Sequence, residues 1–384
     1  MNALPLALYV HLPWCVRKCP YCDFNSHPLR SARPDPRYVD ALIADFDAEA
    51  GALAGRRIDT VFFGGGTPSL FRPEEFDRLL GALRRRIEFA PDAEITLEAN
   101  PGAVEHGAFA GYRDAGINRV SLGAQSFSPE ALARLGRIHE AGDVGRAVAE
   151  LRTAGLANFN LDLMFALPGQ TLEEAVADVR RACALEPAHM SYYQLTLEPG
   201  TVFHAQPPPG LPDEERAWAM QAEGQRLLAE AGYRQYEVSA YAREGARCRH
   251  NLNYWRFGDY VGIGAGAHGK LTAGLPGGVL RTAKPKQPLD YLEAVGRAGG
   301  SPVGERRLIE PEDLPFEFML NALRLEEGFE RRDFEGRTGL ALKSLEPVLR
   351  AVEARGLLEP AGDGWRPSAL GRRFLNDLQA SFLP

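Results

Sequence analysis

The chain has 384 residues with 44 Lys and Arg against 51 Asp and Glu, and its net charge of −7 argues against a nucleic-acid-binding surface as its main feature. An apolar content of 45% beside 25% charged residues is ordinary for a soluble globular chain, and the length allows a large core and more than one domain. No run of eighteen apolar residues is present to span a bilayer, and the start, Met1-Asn2-Ala3-Leu4-Pro5, has no secretion-signal pattern, so the cytoplasm is the expected compartment.

The first predicted element is an apolar strand over residues 6–12. Directly after it stand Cys15, Cys19 and Cys22, spaced C-x3-C-x2-C. Three thiolates in so short a loop can hold three corners of a cubane iron–sulfur cluster and leave the fourth iron to a ligand from outside the chain. A zinc site would want a fourth Cys or His at matching spacing, and neither His11 nor His27 completes a usual pattern. A disulfide framework does not suit five cysteines in a chain of this length. Arg17 and Lys18 between the ligands would favour thiolates; a solvated loop explains them equally well.

Further strands are predicted over residues 60–63, 95–98, 120–123, 159–164 and 191–197, each apolar and bounded by Gly, Pro or Asn. Between them amphipathic periodicity predicts helices over 38–53, 74–86, 144–154 and 172–185. Such alternation implies a parallel sheet with helices outside. Six βα units fall short of the eight that close a TIM barrel, so the expected fold class is α/β, a partial, open (βα)6 barrel with its site at the C-terminal strand ends.

Several polar groups fall at those ends. Gly64-Gly65-Gly66-Thr67-Pro68 follows the second strand, where glycines let the backbone approach a ligand or simply make a tight turn. Glu98 ends the third strand, Gln125 the fourth, Arg137 lies just beyond, and Asp162 sits in the fifth. A charge in an apolar strand is costly unless paired or used. One such carboxylate can be a core ion pair; four aligned polar groups favour a ligand pocket.

After about residue 200 the pattern changes. A loop over 206–212 precedes a helix over 213–232, residues 233–300 read as loop-rich, and the chain is helical from 314. Two helices, a short apolar run, the Gly362-Asp363-Gly364 turn, Trp365 and a last helix through 378 resemble a winged-helix-like cap. The expected division is a core over 1–235, a loop-rich connection over 236–305 and the cap over 306–384. Gly264-x-Gly266-x-x-Gly269 spells a dinucleotide fingerprint, but it opens no helix and Leu275-Pro276-Gly277-Gly278 follows closely, so NAD binding is not expected.

The segment from Tyr9 to Phe24, with Tyr21 before the third cysteine, resembles the radical S-adenosylmethionine (radical SAM) family. The resemblance implies a 4Fe–4S cluster on Cys15, Cys19 and Cys22, with SAM chelating the fourth iron. It further implies that Gly65, Gly66 and Thr67 receive the methionyl amino group, Arg137 the carboxylate, and Gln125 and Asp162 the nucleoside, with Glu98 and Tyr9 completing the SAM pocket.

Glu98-Ala99-Asn100-Pro101, the segment around Gln125, Leu167-Pro168-Gly169-Gln170-Thr171 and Tyr236-Glu237-Val238-Ser239 together resemble the oxygen-independent coproporphyrinogen oxidase subfamily, along nearly the whole chain. The oxidase carries a fourth cysteine where Phe24 stands here, and a long extension before the first cysteine where this chain has fourteen residues. Both departures match the haem chaperone branch, whose His-Asn-x-x-Tyr-Trp motif is His250, Asn251, Tyr254 and Trp255. That implies haem as a cofactor or cargo, with His250 as axial ligand, Tyr254 and Trp255 as a porphyrin wall, and Arg247 and Arg249 on the propionates. Cys248 and His268 are rival ligands. The function expected is a haem chaperone handing haem to acceptor hemoproteins, membrane-bound respiratory proteins among them, in the cytoplasm or at the membrane periphery. The alternative is an enzyme, a coproporphyrinogen III dehydrogenase acting on propionate side chains.

Overall fold

β1 (Leu6–Leu12) is buried at every residue except Tyr9, which is half-buried, as befits a parallel strand covered on both faces. The computed structural model describes residues 4–30, 34–53, 55–102, 109–272, 278–297 and 302–384. From β1 the sheet runs in chain order through β2 (Arg57–Gly65), β3 (Glu88–Ala99), β4 (Arg119–Gln125), β5 (Phe159–Phe165) and β6 (His189–Gln194), all parallel. Helices α1 (Tyr38–Ala50), α2 (Pro73–Arg84), α3 (Phe109–Ala115), α4 (Ala141–Thr153) and α5 (Leu172–Ala184) lie along the connections. α5 starts where Thr171 and Glu174 cap each other: the Thr171 hydroxyl accepts from the Glu174 N–H at 3.2 Å and the Glu174 carboxylate from the Thr171 N–H at 2.8 Å. Val10, Phe63, Leu97, Leu122, Leu161 and Met190, one from each strand, have no exposed surface and belong to a single core.

The barrel stays open, as expected, but the sheet does not end at six strands. Beyond β6 it continues antiparallel with β7 (Arg234–Glu237) and β8 (Ala240–Ala242). After α6 (Glu214–Glu230) and α7 (Arg249–Trp255), β9 (Asp259–Ile263) returns to pair in parallel with the free edge of β1. Antiparallel β10 (His268–Thr272), β11 (Val279–Ala283) and β12 (Glu305–Leu308) extend that edge. Among the described residues the sheet has twelve strands in the order β12-β11-β10-β9-β1-β2-β3-β4-β5-β6-β8-β7. The span expected to be loop-rich is therefore mostly sheet edge, with α7 and α8 (Pro288–Gly296) beside it. Its strands are three to five residues long with mixed polarity, too short to show a period. Likewise β2 and β3 begin well before residues 60 and 95, because charged residues such as Arg57, Asp59, Glu88 and Glu94 mask their first halves. Residues 1–3 and 275–277 of the sequence argument lie outside the described residues.

The C-terminal part has its own core around Phe318, Phe334, Leu349 and Leu378. Helices α9 (Leu314–Ala322), α10 (Arg331–Thr338) and α11 (Glu346–Ala354) surround a small antiparallel sheet of β13 (Phe329–Glu330), β15 (Gly364–Pro367) and β14 (Leu358–Ala361), the winged-helix-like arrangement expected. No described helix is long and apolar enough to cross a membrane.

A buried ionic clasp holds the extended edge on α1. Lys284 Nζ donates to Asp45 Oδ1 at 2.6 Å and Glu49 Oε1 at 2.7 Å, and all three side chains are buried. The second Asp45 oxygen accepts from the Gly264 N–H at 3.0 Å and the Tyr291 hydroxyl at 2.9 Å. Removing the cation leaves two buried carboxylates without a counter-charge, with only the Gly264 and Tyr291 hydrogen bonds still reaching Asp45. Lys284→Ala is therefore expected to cost about 3–5 kcal/mol of stability, read from urea unfolding; an unchanged midpoint would contradict the clasp's role.

Candidate functional site

β1 ends at Leu12 and the chain turns across the C-terminal ends of the strands. The Gly66 N–H donates to Leu12 O at 2.8 Å and the Thr67 N–H to Trp14 O at 2.7 Å, tying the cysteine loop to the end of β2. The loop closes on itself through the His27 N–H to Pro13 O at 2.7 Å and the Leu29 N–H to Cys15 O at 2.8 Å. The approach is tight enough to demand glycine: a Cβ on residue 66 would lie 2.5 Å from the Trp14 carbonyl oxygen.

Cys15, Cys19 and Cys22 are free, half-buried thiols lining one cavity of about 360 Å³. Gly65, Gly66, Thr67, Glu98, Gln125, Arg137 and Asp162 line the same cavity. Four strand ends thus bring the cysteine loop and these residues together. Tyr9 lines a neighbouring cavity instead. Asn100 and Tyr193, which the sequence reading gave no role, also line the first cavity; their places at the ends of β3 and β6 are the signal that marks them.

Glu98 and Asp162 lie deep in the protein with part of their surface open to this cavity. Burial, with the Asp162 charge nearby, pushes the Glu98 carboxyl up to about 8, although the Gly65 N–H donates to it at 3.3 Å. Glu98 therefore holds a proton at pH 7. Burial also raises Asp162, but hydrogen bonds from Ser191, Asn160 and Ser121 and the Arg119 charge oppose the rise. The Ser121 hydroxyl donates at 3.1 Å and Asn160 Nδ2 at 2.8 Å.

Burial raises the Cys15 and Cys22 thiols as well. Arg137 brings a guanidinium to the third, its Nη1 3.9 Å from Cys19 Sγ, while its Nη2 donates to Gly123 O at 3.0 Å. Gln125 holds a left-handed backbone, φ 56°, and its buried Oε1 has no partner among the described residues. Strain and an unsatisfied acceptor at one residue are features of a ligand clamp. Three thiols, a glycine-lined strand end, a guanidinium and an open amide acceptor are a donor set that fits a cubane cluster carrying a zwitterionic nucleoside.

The neighbouring cavity holds about 700 Å³ and shares Asp23, Phe24, Gly65 and Glu98 with the first. Phe24 is 58% exposed at this seam. The motif on α7 splits across the cavity wall. Tyr254 and Trp255 line it, while His250 and Asn251 do not. His250 is 1% exposed, with Nδ1 at 2.9 Å from Thr60 Oγ1 and Nε2 at 2.9 Å from the Tyr254 hydroxyl. Burial, with Arg119 adding to it, lowers its ring to about 3. Both nitrogens of His250 are thus hydrogen-bonded to hydroxyls, and its ring stands behind the cavity wall rather than on it. Cys248 is also buried, its thiol 3.6 Å from Glu94 Oε1 and pushed up by burial to about 12. Arg247 pairs with Glu327 and Arg249 with Asp92, and neither lines the cavity. His268 does line it and is exposed.

Comparison with known proteins adds to this geometry. Residues 9–182 match the radical SAM superfamily and residues 309–374 the HemN C-terminal domain. The chain is 49% identical over 380 residues to heme chaperone HemW of Escherichia coli (strain K12), covering 99% of this chain and 98% of that protein. It is 47% identical over 385 residues to heme chaperone HemW of Haemophilus influenzae, covering 99% of this chain and 98% of that one. Among solved structures, coproporphyrinogen III oxidase (HemN) from Escherichia coli shares the fold with a TM-score of 0.83 at 23% identity, over 99% of this chain and 90% of that one.

The raised Glu98 gives a pH signature. Its carboxyl binds a proton more tightly folded, at about 8, than unfolded, at an ordinary 4.5, so its contribution to stability falls as pH rises between those values. Glu98→Gln should remove that fall. Urea midpoints of the cluster-free protein should drop less from pH 5 to pH 8 in the variant than in the parent; equal drops would contradict the assignment.

Proposed function

Because the chain belongs to the radical SAM superfamily, in the branch of proteins named heme chaperone HemW, we propose that it is a cytoplasmic haem chaperone that holds one 4Fe–4S cluster, SAM and haem and passes haem to acceptor hemoproteins. The observation that carries the reading is the pair of adjoining cavities, one with thiols and strand-end polar groups, the other larger and walled by aromatic rings. Cys15, Cys19 and Cys22 would hold three irons. Gly65, Gly66 and Thr67 would receive the amino group of SAM, Arg137 its carboxylate, and Gln125 and Asp162 the nucleoside. When bound, the cluster and SAM supply one-electron reductive chemistry. Glu98, protonated at pH 7, would add a hydrogen-bond donor beside Asp162 rather than a second negative charge.

Phe24 separates this reading from the oxidase. It takes the position of that enzyme's fourth cysteine, and its ring has no atom to bind iron or move a proton. It offers instead an exposed apolar face between the two cavities. The acceptors are hemoproteins, with membrane-bound respiratory proteins the first to test.

Anaerobic reconstitution should load about four irons per chain, and SAM should perturb the reduced cluster's EPR spectrum. Cys19→Ala should lose both. Iron and sulfide retained when Cys15, Cys19 and Cys22 are all replaced would sink the cluster assignment.

Loaded protein given SAM and a reductant should not convert coproporphyrinogen III at the rate of about one per second or more expected of an enzyme, and Phe24→Cys should not confer that activity. Robust turnover by the parent would make the chain an oxidase. Haem should bind with micromolar or better affinity, about −8 kcal/mol, and pass to an apo-hemoprotein.

A further inference from the structure

We propose that His268, not His250, is the axial ligand of the haem, and that the porphyrin lies in the 700 Å³ cavity between α7 and the β9–β11 edge. This rests on the haem-chaperone reading and names the residue within it. Two imidazoles line the cavity, His11 and His268; His250 stands behind the Tyr254 wall, and the His27 ring is bonded to Asn25 Oδ1 at 3.2 Å. His11 has Nδ1 at 3.0 Å from the Tyr9 hydroxyl and Nε2 at 2.9 Å from Asn25 O. His250 is occupied through both nitrogens, as described. The His268 ring makes no hydrogen bond among the described residues and is exposed at the cavity wall, so it keeps a nitrogen lone pair for iron.

The strand register places it well. His268 and Lys270 are two residues apart on β10 and share one face of the sheet. Lys270 pairs with Tyr260 on β9 and Arg281 on β11, and all of these line the cavity. Lys270 and Arg281 are already held by Asp259 and Glu317, so they are not spare cations. Lys18 and Lys286 are exposed lining residues, placed to meet the propionates. Tyr254 and Trp255 supply aromatic wall, and the buried Trp255 Nε1 has no acceptor among the described residues. The volume lies within the range of small-molecule pockets. His250 then becomes a positioning residue: it ties Tyr254 to Thr60 and fixes the wall.

The test adds hemin to the full chain, reads the Soret band and affinity in the ferric state, then reduces with dithionite and reads the ferrous iron–histidine stretch by resonance Raman. The parent should show that stretch. His268→Ala should lose it and bind hemin about tenfold or more weakly. Free imidazole should restore the parent spectrum, and His268→Tyr should replace it with that of a tyrosinate-ligated haem. His250→Gln should keep the iron–histidine stretch even if affinity falls. Retention of the stretch in His268→Ala and His268→Tyr, or its loss in His250→Gln alone, would overturn the assignment while leaving the chaperone reading intact. A parent that binds no hemin would overturn the chaperone reading itself.

Discussion

The close passage of the chain leaving β1 between its two neighbours governs the C-terminal face. β1 is hydrogen-bonded in parallel along both edges, to β2 and to β9, so its exit is squeezed between two strand ends. Gly66 admits it on one side. On the other, Gly264 holds φ +103°, and a Cβ there would lie 2.4 Å from the His11 carbonyl oxygen. The Gly264-x-Gly266 pattern that spells a nucleotide fingerprint is thus a packing device for the cysteine loop. Polar groups then stitch the loop down: the Tyr38 hydroxyl donates to His11 O at 3.0 Å, and Asn25 Nδ2 donates to Ala265 O and to Lys286 O, each at 2.9 Å. These bonds fasten the cysteine loop to the β9–β11 edge.

That stitching has a chemical consequence. The two cavities share Gly65 and Glu98 because the end of β2 is pinned beneath the cysteine loop. A group bound in either cavity alters the surroundings of one buried, proton-holding carboxyl. Glu98 thus borders both cavities at once.

The C-terminal part backs the larger cavity. Phe257, at the end of α7, packs into the core of that part against Phe318. The Arg324 guanidinium lies 4.3 Å from the Trp255 ring centre while its Nη2 donates to Glu237 at 3.0 Å. Asn321 joins the lining directly. The cap therefore acts as a buttress behind the aromatic wall.

Much of the cluster-and-strand-end site was legible in the chain. Cysteine spacing is local, and buried parallel strands are apolar runs bounded by glycine, so β1 and the polar residues Glu98, Gln125 and Asp162 at strand ends stood out. The edge strands between 234 and 308 did not, because strands of three to five residues with mixed polarity, most of them antiparallel, carry too little pattern. The motif on α7 shows the remaining limit. Its spacing puts His250 and Tyr254 one helical turn apart on a shared face. Which atoms that face meets depends on Thr60 and Phe62, nearly two hundred residues earlier in the chain. The sequence by itself determined that an imidazole and two aromatic rings fall within one six-residue stretch, 250–255, read there as part of a loop-rich span that the structure winds into α7. Only the tertiary structure decided that the imidazole turns inward to hold a tyrosine while His268, brought in from a separate strand, faces the cavity, because that choice is made by packing between distant segments.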